Sequence, residues 1–336
     1  MTVLSTNKMK TSDIIILRTD EISDDLWRQI GHGYKVCFDI EHTPDEFRES
    51  FSRSITGYTF HALKFTEDGK LMGHNYFQPR PYILNGEKVI CAVSGGTFVL
   101  PEYRKDIFIF KELFTALSKH AKSLGWIAQI GVPNENSFKY AVKINKEKYI
   151  GDLNYYILPV HASKIIKHNN KLLDGLSHLY STIITKGNLF LSHIINLKEK
   201  KVPLHIDENE QFLSLRLSHP EYKHIKEQDL RATYRVYDED GINTAYIIYF
   251  SQNGKRTSKA LSHTVNTILK NEKIDAILYI GTMNMAQTLL TRVPKKFVPH
   301  RLTATVAVFD KTNKELVDIL SSLKNIDYGL INFDVR

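Results

Sequence analysis

Apolar positions along this chain change their period repeatedly, and each change marks an element. Asp13-Ile-Ile-Ile-Leu17 is a short apolar run that predicts a strand, and residues 24–30 predict a helix. Thr43-Pro44-Asp45-Glu46 is a helix start, with threonine as N-cap, proline at the first helical position and glutamate three residues after the cap. Phe47, Phe51 and Ile55 follow at helical spacing, and Gly57 closes that element. Three strand-like runs come next, at 59–65, 70–78 and 88–100. Glu67-Asp68-Gly69-Lys70 reads as a hairpin turn, whereas Pro79, Pro81 and Asn85-Gly86 mark the second connection. Phe110, Leu113, Phe114, Leu117, Ala121 and Leu124 form a helical stripe ended by Gly125. Residues 126–132 predict a strand, 137–143 a short helix and 149–160 a last strand.

The polar stretch 161–175 is the expected domain boundary, giving domains 1–160 and 161–336. Beyond it, 176–195 reads as helix. Strands at 232–237 and 244–250, a helix at 258–270, a strand at 276–281, a helix at 285–292 and a strand at 302–309 follow. This order abbreviates that of the first half without repeating its sequence, so two α/β halves are expected.

Composition narrows the class. In 336 residues, 42% are hydrophobic and 24% charged, which is ordinary for a soluble, well-cored protein and excludes disorder, collagen and a disulfide scaffold. Cys37 and Cys91 have no zinc spacing and suit a reducing compartment. Residues 1–12 are polar and lack the apolar stretch of a signal peptide, and 176–195 is too often interrupted by polar residues to span a membrane. A cytoplasmic protein with no membrane partner is the expectation. The net charge of +8 is spread thinly. Its densest run, Lys198-Glu199-Lys200-Lys201, contains a glutamate and is followed by Asp207, Glu208 and Glu210, so it reads as solvated surface. The sign of the charge alone leaves nucleic acid or a phosphorylated ligand open. Fourteen histidines include no H-x-x-x-H or H-E-x-x-H pair, and His219 and His224 are five apart, so no metal site is expected.

The order helix, three antiparallel strands, helix, strand, helix, strand resembles the GNAT superfamily of N-acyltransferases. Ser94-Gly-Gly-Thr-Phe-Val-Leu-Pro-Glu-Tyr-Arg104 looks like that family's fourth strand running into its P-x-Y-R turn, and Val132-Pro133-Asn134 is similar to its Asn-bearing strand end. The resemblance covers residues 13–160, and the second half resembles a degenerate copy. It implies an α/β fold of the α+β type, a mixed and largely antiparallel sheet flanked by helices, in two such lobes. It also implies transfer of an acyl group from acetyl-CoA or another acyl-CoA to a small-molecule amine. The pyrophosphate would lie at the loop and helix start formed by Arg104, Lys105, Ile107 and Phe108. The backbone of Phe98, Val99 and Leu100 would hold the oxyanion, Asn134 and Ser137 would meet the pantetheine arm, and Tyr140 would be the acid.

Several residues depart from the family pattern. Its loop carries two glycines after the arginine, whereas this chain reads Arg104-Lys105-Asp106-Ile107-Phe108-Ile109. Asp106 would repel phosphate, and Lys105 would offset that in part. Counting from Asn134, the family's small residue, tyrosine and Gly-Phe fall on Ser137, Ala141, Asn145 and Lys146, so the tyrosine is displaced by one to Tyr140 and Asn145 is the expected left-handed residue. Plain structural readings stand beside the functional ones. Arg104 reads equally as a turn residue, Asn134 as a helix cap, Gly95-Gly96 as a packing bulge, and Glu41 with His42 as a solvated loop. Asn253-Gly-Lys-Arg-Thr-Ser258 invites a phosphate-loop reading, but Tyr249 stands where the Walker pattern needs glycine, so a basic loop with a helix cap fits better. The missing glycines keep two alternatives open: a Fem-type transferase that uses aminoacyl-tRNA, and a binding module that retains the fold. The sequence indicates neither the acceptor nor the oligomeric state.

Overall fold

Segment by segment, a computed structural model realises most of these patterns and describes residues 14–168 and 170–333. Asp13 and the polar stretch 1–12 lie outside the described residues. In chain order the first elements are β1 (Ile14–Arg18), α1 (Asp24–Phe38), α2 (Pro44–Ser52), β2 (Phe60–Phe65), β3 (Leu71–Leu84), β4 (Glu87–Val99), α3 (Phe108–Ser123), β5 (Ala128–Gly131), α4 (Glu135–Lys143) and β6 (Lys148–Asp152). There follow β7 (Asn154–Pro159), α5 (Ala162–Ile165), α6 (Lys171–Ile194), β8 (Leu204–Ile206), α7 (Glu210–Arg216), β9 (Lys223–Glu227), β10 (Leu230–Glu239) and β11 (Ile242–Gln252). The last are α8 (Ser258–Asn271), β12 (Ala276–Gly281), β13 (Thr291–Arg292), β14 (Thr303–Val308) and α9 (Lys314–Ile319).

Local chemistry explains both the agreements and the differences. The capping box forms as expected: Thr43 accepts from the Glu46 N–H and Glu46 accepts from the Thr43 N–H. β3 runs through Pro79 and Pro81 rather than ending there. Its ladder with β2 stops at Phe60↔Phe77, so neither proline removes a donor from that pairing. The turn is made by Asn85 and Gly86 alone, both with positive φ. The stretch 149–160 is two strands parted at Leu153, because β6 and β7 belong to different sheets. Residues 285–292 are not helical. The Gln287 side chain accepts from the Leu290 N–H and donates to the Leu290 carbonyl, taking backbone groups that a helix would use. The strand expected at 302–309 pairs with β5 and so belongs to the first sheet.

Two compact units result. Among the described residues, the first comprises 14–82, 87–150 and 304–321; the second comprises 83–86, 151–303 and 322–333. They separate at residues 150 and 151 rather than within 161–175, and the chain re-enters the first unit near its end. The main path of the first sheet is β1-β2-β3-β4-β5-β14-β6. Alternation along β2 puts His61 and Leu63 on the face covered by α1 and α2, with Trp27, Ile30, Phe47 and Phe51. Phe60 and Ala62 face α3, with Ile109, Leu113 and Leu117. The second unit has a six-stranded sheet, β13-β7-β12-β11-β10-β9, antiparallel except between β11 and β12. Its core joins Ala245, Ile247 and Ile277 to Val265 and Ile268 of α8.

Beneath α1 and α2 lies a buried pair of histidines. His61 Nδ1 is 3.0 Å from His74 Nε2, His61 Nε2 is 3.2 Å from Thr19 Oγ1, and His74 Nδ1 is 3.4 Å from the Gly96 carbonyl oxygen. A carbonyl only accepts, so His74 carries its proton on Nδ1 and His61 Nδ1–H donates to His74 Nε2, while the Thr19 hydroxyl donates to the Thr59 carbonyl at 3.2 Å. Burial lowers the pKa of His74 to about 4 and that of His61 well below the ordinary 6.5, so both rings are neutral. A depressed histidine pKa means that the unfolded chain binds more protons. The stability is present above pH 6.5 and is lost as pH falls towards 4. For His74 alone this is on the order of 3 kcal/mol. Urea midpoints should therefore fall steadily between pH 7 and about 5; a midpoint independent of pH over that range would contradict the neutral pair.

Candidate functional site

In the first unit, β4 and β5 run parallel, and among the described residues their ladder consists of Cys91↔Ala128 and Ala92↔Gln129. Just beyond it, β4 changes the facing of its side chains. Residues three apart in a regular strand point to opposite faces, yet the hydroxyls of Ser94 and Thr97 both donate to Asn75 Oδ1, at 3.0 and 2.8 Å. An extra residue is needed between them, and Gly96, at φ +54°, supplies it as a bulge. Two buried amide groups flank the place where the strands part. Among the described residues, Asn75 Nδ2 on β3 and Gln129 Oε1, at the last rung between β4 and β5, have no hydrogen-bond partner.

The residues after the bulge divide sharply. Phe98 is a core residue: its ring packs on Tyr34 and His74, and a Cβ on Gly33 of α1 would overlap it. Leu100 is buried, and its N–H is taken by the Met72 carbonyl at 2.9 Å. Amide directions alternate along a strand, so the Val99 N–H points away from β3, towards the β5 side. Of the three backbone groups expected to meet an oxyanion, Val99 alone has that direction.

At the loop, Arg104 Nε donates to the Val99 carbonyl at 2.9 Å, and its Nη2 lies 3.3 Å from Cys37 Sγ. The guanidinium thus ties the turn to the end of β4. Asp106 Oδ1 accepts from the Phe108 N–H at 2.9 Å, placing a carboxylate at the start of α3. Lys105 is exposed, as are the side chains of Ile107 and Phe108. Asn134 is the N-cap of α4, accepting from both the N–H and the hydroxyl of Ser137. Tyr140, on α4 and half exposed, sets its ring 5.5 Å from that of Phe110 in the first turn of α3, tilted by 47°, which brings it beside the loop. Lys146, not Asn145, takes the left-handed conformation after α4. Glu41 pairs with Lys35 at 3.0 Å, and His42 lies 3.8 Å from Glu46, around a shallow hollow of about 510 Å³ on α1 and α2.

Sequence reading missed Asn75, Gln129 and the His61–His74 pair. The only signal was their polarity inside otherwise apolar strands, His61 between Phe60 and Ala62 for example. In the second unit the loop before α8 is structural. Arg256 is buried, with Asp327, Glu208 and Glu199 at 2.8, 3.4 and 3.6 Å, and Thr257 caps α8 by accepting from the Ala260 N–H. Burial pushes Glu199 up to about 7, while the surrounding carboxylates keep Arg256 charged.

Gly95 and Gly96 are packing requirements as well as a bulge. A Cβ on Gly96 would overlap the Tyr34 hydroxyl, and one on Gly95 would overlap that of Tyr76. Gly96→Ala should cost about 2–4 kcal/mol, combining a left-handed backbone with overpacking. Gly125→Ala, also left-handed but with open space around its Cβ, should cost about 1 kcal/mol. Equal costs in urea unfolding would show that Tyr34 does not hold the bulge.

No protein-family model matches the sequence, and no curated protein matches it. Solved structures do. A GCN5-related N-acetyltransferase from Kribbella flavida is similar over 89% of this chain and 71% of its own, with a TM-score of 0.56 at 11% identity. Another from Anabaena variabilis ATCC 29413 covers 88% and 73%, with a TM-score of 0.54 at 11% identity. Eis1 from Mycobacterium abscessus covers 89% and 73%, with a TM-score of 0.51 at 12% identity. The chain has the fold of the GCN5-related N-acetyltransferases, as its strand-to-turn sequence from Ser94 to Arg104 implied.

Proposed function

We propose that the first unit binds acetyl-CoA or another acyl-CoA and transfers the acyl group to a small-molecule amine. The observation that carries this reading is the parting of β4 from β5 at the Gly96 bulge, bordered by the unpartnered Asn75 Nδ2 and Gln129 Oε1. An extended, amide-bearing arm such as pantetheine can add to such an opening as a strand would, exchanging hydrogen bonds with β4. The buried donor and acceptor fit a ligand of that chemistry.

In the reaction, a neutral amine nitrogen bonds to the thioester carbonyl carbon, the carbon–sulfur bond breaks, the leaving thiolate takes a proton from an acid, and the proton lost by the nitrogen passes to solvent, from which the acid is restored. The Val99 N–H, directed into the opening, is the donor we assign to the developing oxyanion. Tyr140, beside the start of α3, is the acid we assign to the thiolate. Arg104, Lys105 and the first turn of α3 at Ile107 and Phe108 are assigned to the pyrophosphate. In this reading, Asn134 and Ser137 shape the far side of the opening by fixing the start of α4. The second unit is read as a second, degenerate lobe.

One observation favours a different donor. Asp106 already provides a carboxylate at the start of α3, where pyrophosphate would sit. This suits a Fem-type aminoacyl-tRNA-dependent transferase or a non-catalytic module, neither of which needs that anion site.

Isothermal titration with acetyl-CoA separates the readings. The expected outcome is micromolar binding, weakened about tenfold by Arg104→Ala and tightened several-fold by Asp106→Asn, which keeps the cap but removes the charge. Absence of binding at millimolar acetyl-CoA would overturn the acyl-CoA reading and leave the tRNA-dependent transferase and the non-catalytic module. If Asp106→Asn weakened binding, the carboxylate would be an asset to the site and the pyrophosphate assignment would be wrong.

A further inference from the structure

α6 is turned inside out relative to an ordinary surface helix. The residues it buries fully are small and polar, Ser177, Ser181, Thr185 and Ser192, with Ile184 packed part-buried against the core beside them. Ser177 Oγ donates to the Val160 carbonyl at 2.9 Å and accepts from the Ala162 N–H at 3.0 Å. The opposite face carries large apolar side chains in solvent. Leu172 is 75% exposed, Leu176 57%, Leu179 55%, Ile183 62%, Phe190 68% and Ile194 64%. At 100° per residue these six fall within a strip narrower than 90°, along a helix about 36 Å long, and no charged residue interrupts it. A contiguous apolar patch of this extent marks an interaction surface.

We infer that this stripe is the interface of a two-fold dimer, in which α6 packs antiparallel on α6 of a second copy. Three features of the chain point to a copy of itself. First, the stripe reads the same in both directions. Its positions 172, 176, 179, 183, 187, 190 and 194 are spaced 4, 3, 4, 4, 3, 4, so a two-fold axis at Ile183 places Leu172 opposite Ile194, Leu176 opposite Phe190 and Leu179 opposite Gly187. An isologous interface requires this reciprocity. Gly187 leaves room for Leu179. At the margin the same operation places Gly175 opposite Leu191, and Tyr180 opposite Lys186, a cation–π pair.

Second, the area suffices. With Tyr180 and Leu191 included, the stripe offers on the order of 800 Å², about what each partner contributes to a standard interface. Third, the charge pattern does not suit a lipid surface. Interfacial helices carry many Lys and Arg on the polar face, whereas α6 has two lysines, Lys171 and Lys186, and its polar face is buried serine and threonine.

The full chain should sediment as a dimer at tens of micromolar, and Ile183→Glu should make it monomeric with its circular dichroism spectrum unchanged, since the side chain is exposed. Cysteine cross-linking in a Cys37→Ser background fixes the geometry. Ile183→Cys should cross-link to itself, and Leu172→Cys should not. A mixture of Leu172→Cys with Ile194→Cys should give the heterodimer. A wild-type monomer at those concentrations would overturn the inference, as would a dimer that Ile183→Glu leaves intact. Self-cross-linking by Leu172→Cys would overturn the antiparallel arrangement. Flotation of the monomer with vesicles of phosphatidylcholine and phosphatidylserine would assign the stripe to a membrane surface instead.

Discussion

At Gly96 the backbone of β4 takes a left-handed conformation, with the Tyr34 and Tyr76 hydroxyls closed against Gly96 and Gly95, and three other features depend on it. Ser94 and Thr97 come to the same side and share Asn75. Phe98 turns under α1, where Gly33 has no side chain to obstruct it. The neutral His61–His74 pair receives its direction from the Gly96 carbonyl, an acceptor that can only be met by a protonated His74 Nδ1. A strand that could pair regularly along its whole length would leave no opening beside β5. Here the bulge gives up that regularity, and the aromatic cluster beneath α1 and α2 holds it in place.

Much of the fold was legible because its signals were local. The capping box at Thr43, the stripe of α3 and the succession of strands each follow from one short stretch of sequence. What escaped depends on partners remote in sequence. The passage of β3 through Pro79 and Pro81 depends on where β2 stops, and β14 joins the first sheet only because β5 accepts it. Residues 285–292 have helical spacing, but one glutamine side chain takes the backbone of Leu290. The candidate site was half legible. Glycine pair, arginine and asparagine stood out in sequence order, whereas nothing local could show that Leu100 spends its N–H on Met72 or that Asn75 and Gln129 would be left with unpartnered atoms.

The second unit places its charges differently from a phosphate-binding lobe. Its most suggestive loop contributes a buried arginine enclosed by three carboxylates, an arrangement that holds chain segments together and keeps the guanidinium from an anion. Its long helix buries small hydroxyl residues beside Ile184 and leaves most of its large apolar ones outward, the reverse of what burial alone would select. Both choices accord with the proposed reading, in which the acyl-donor site is assigned to the first unit.

The claim on which this account rests is that an extended ligand enters beside β4 at the bulge. Hydrogen–deuterium exchange read by mass spectrometry, with and without acetyl-CoA, tests it at the backbone. Strand-like addition predicts that amides between Val93 and Val99 slow on ligand binding, with Val99 among them, while those of α6 are unchanged. Binding without any slowing between Val93 and Val99, or with protection confined to other elements, would contradict it.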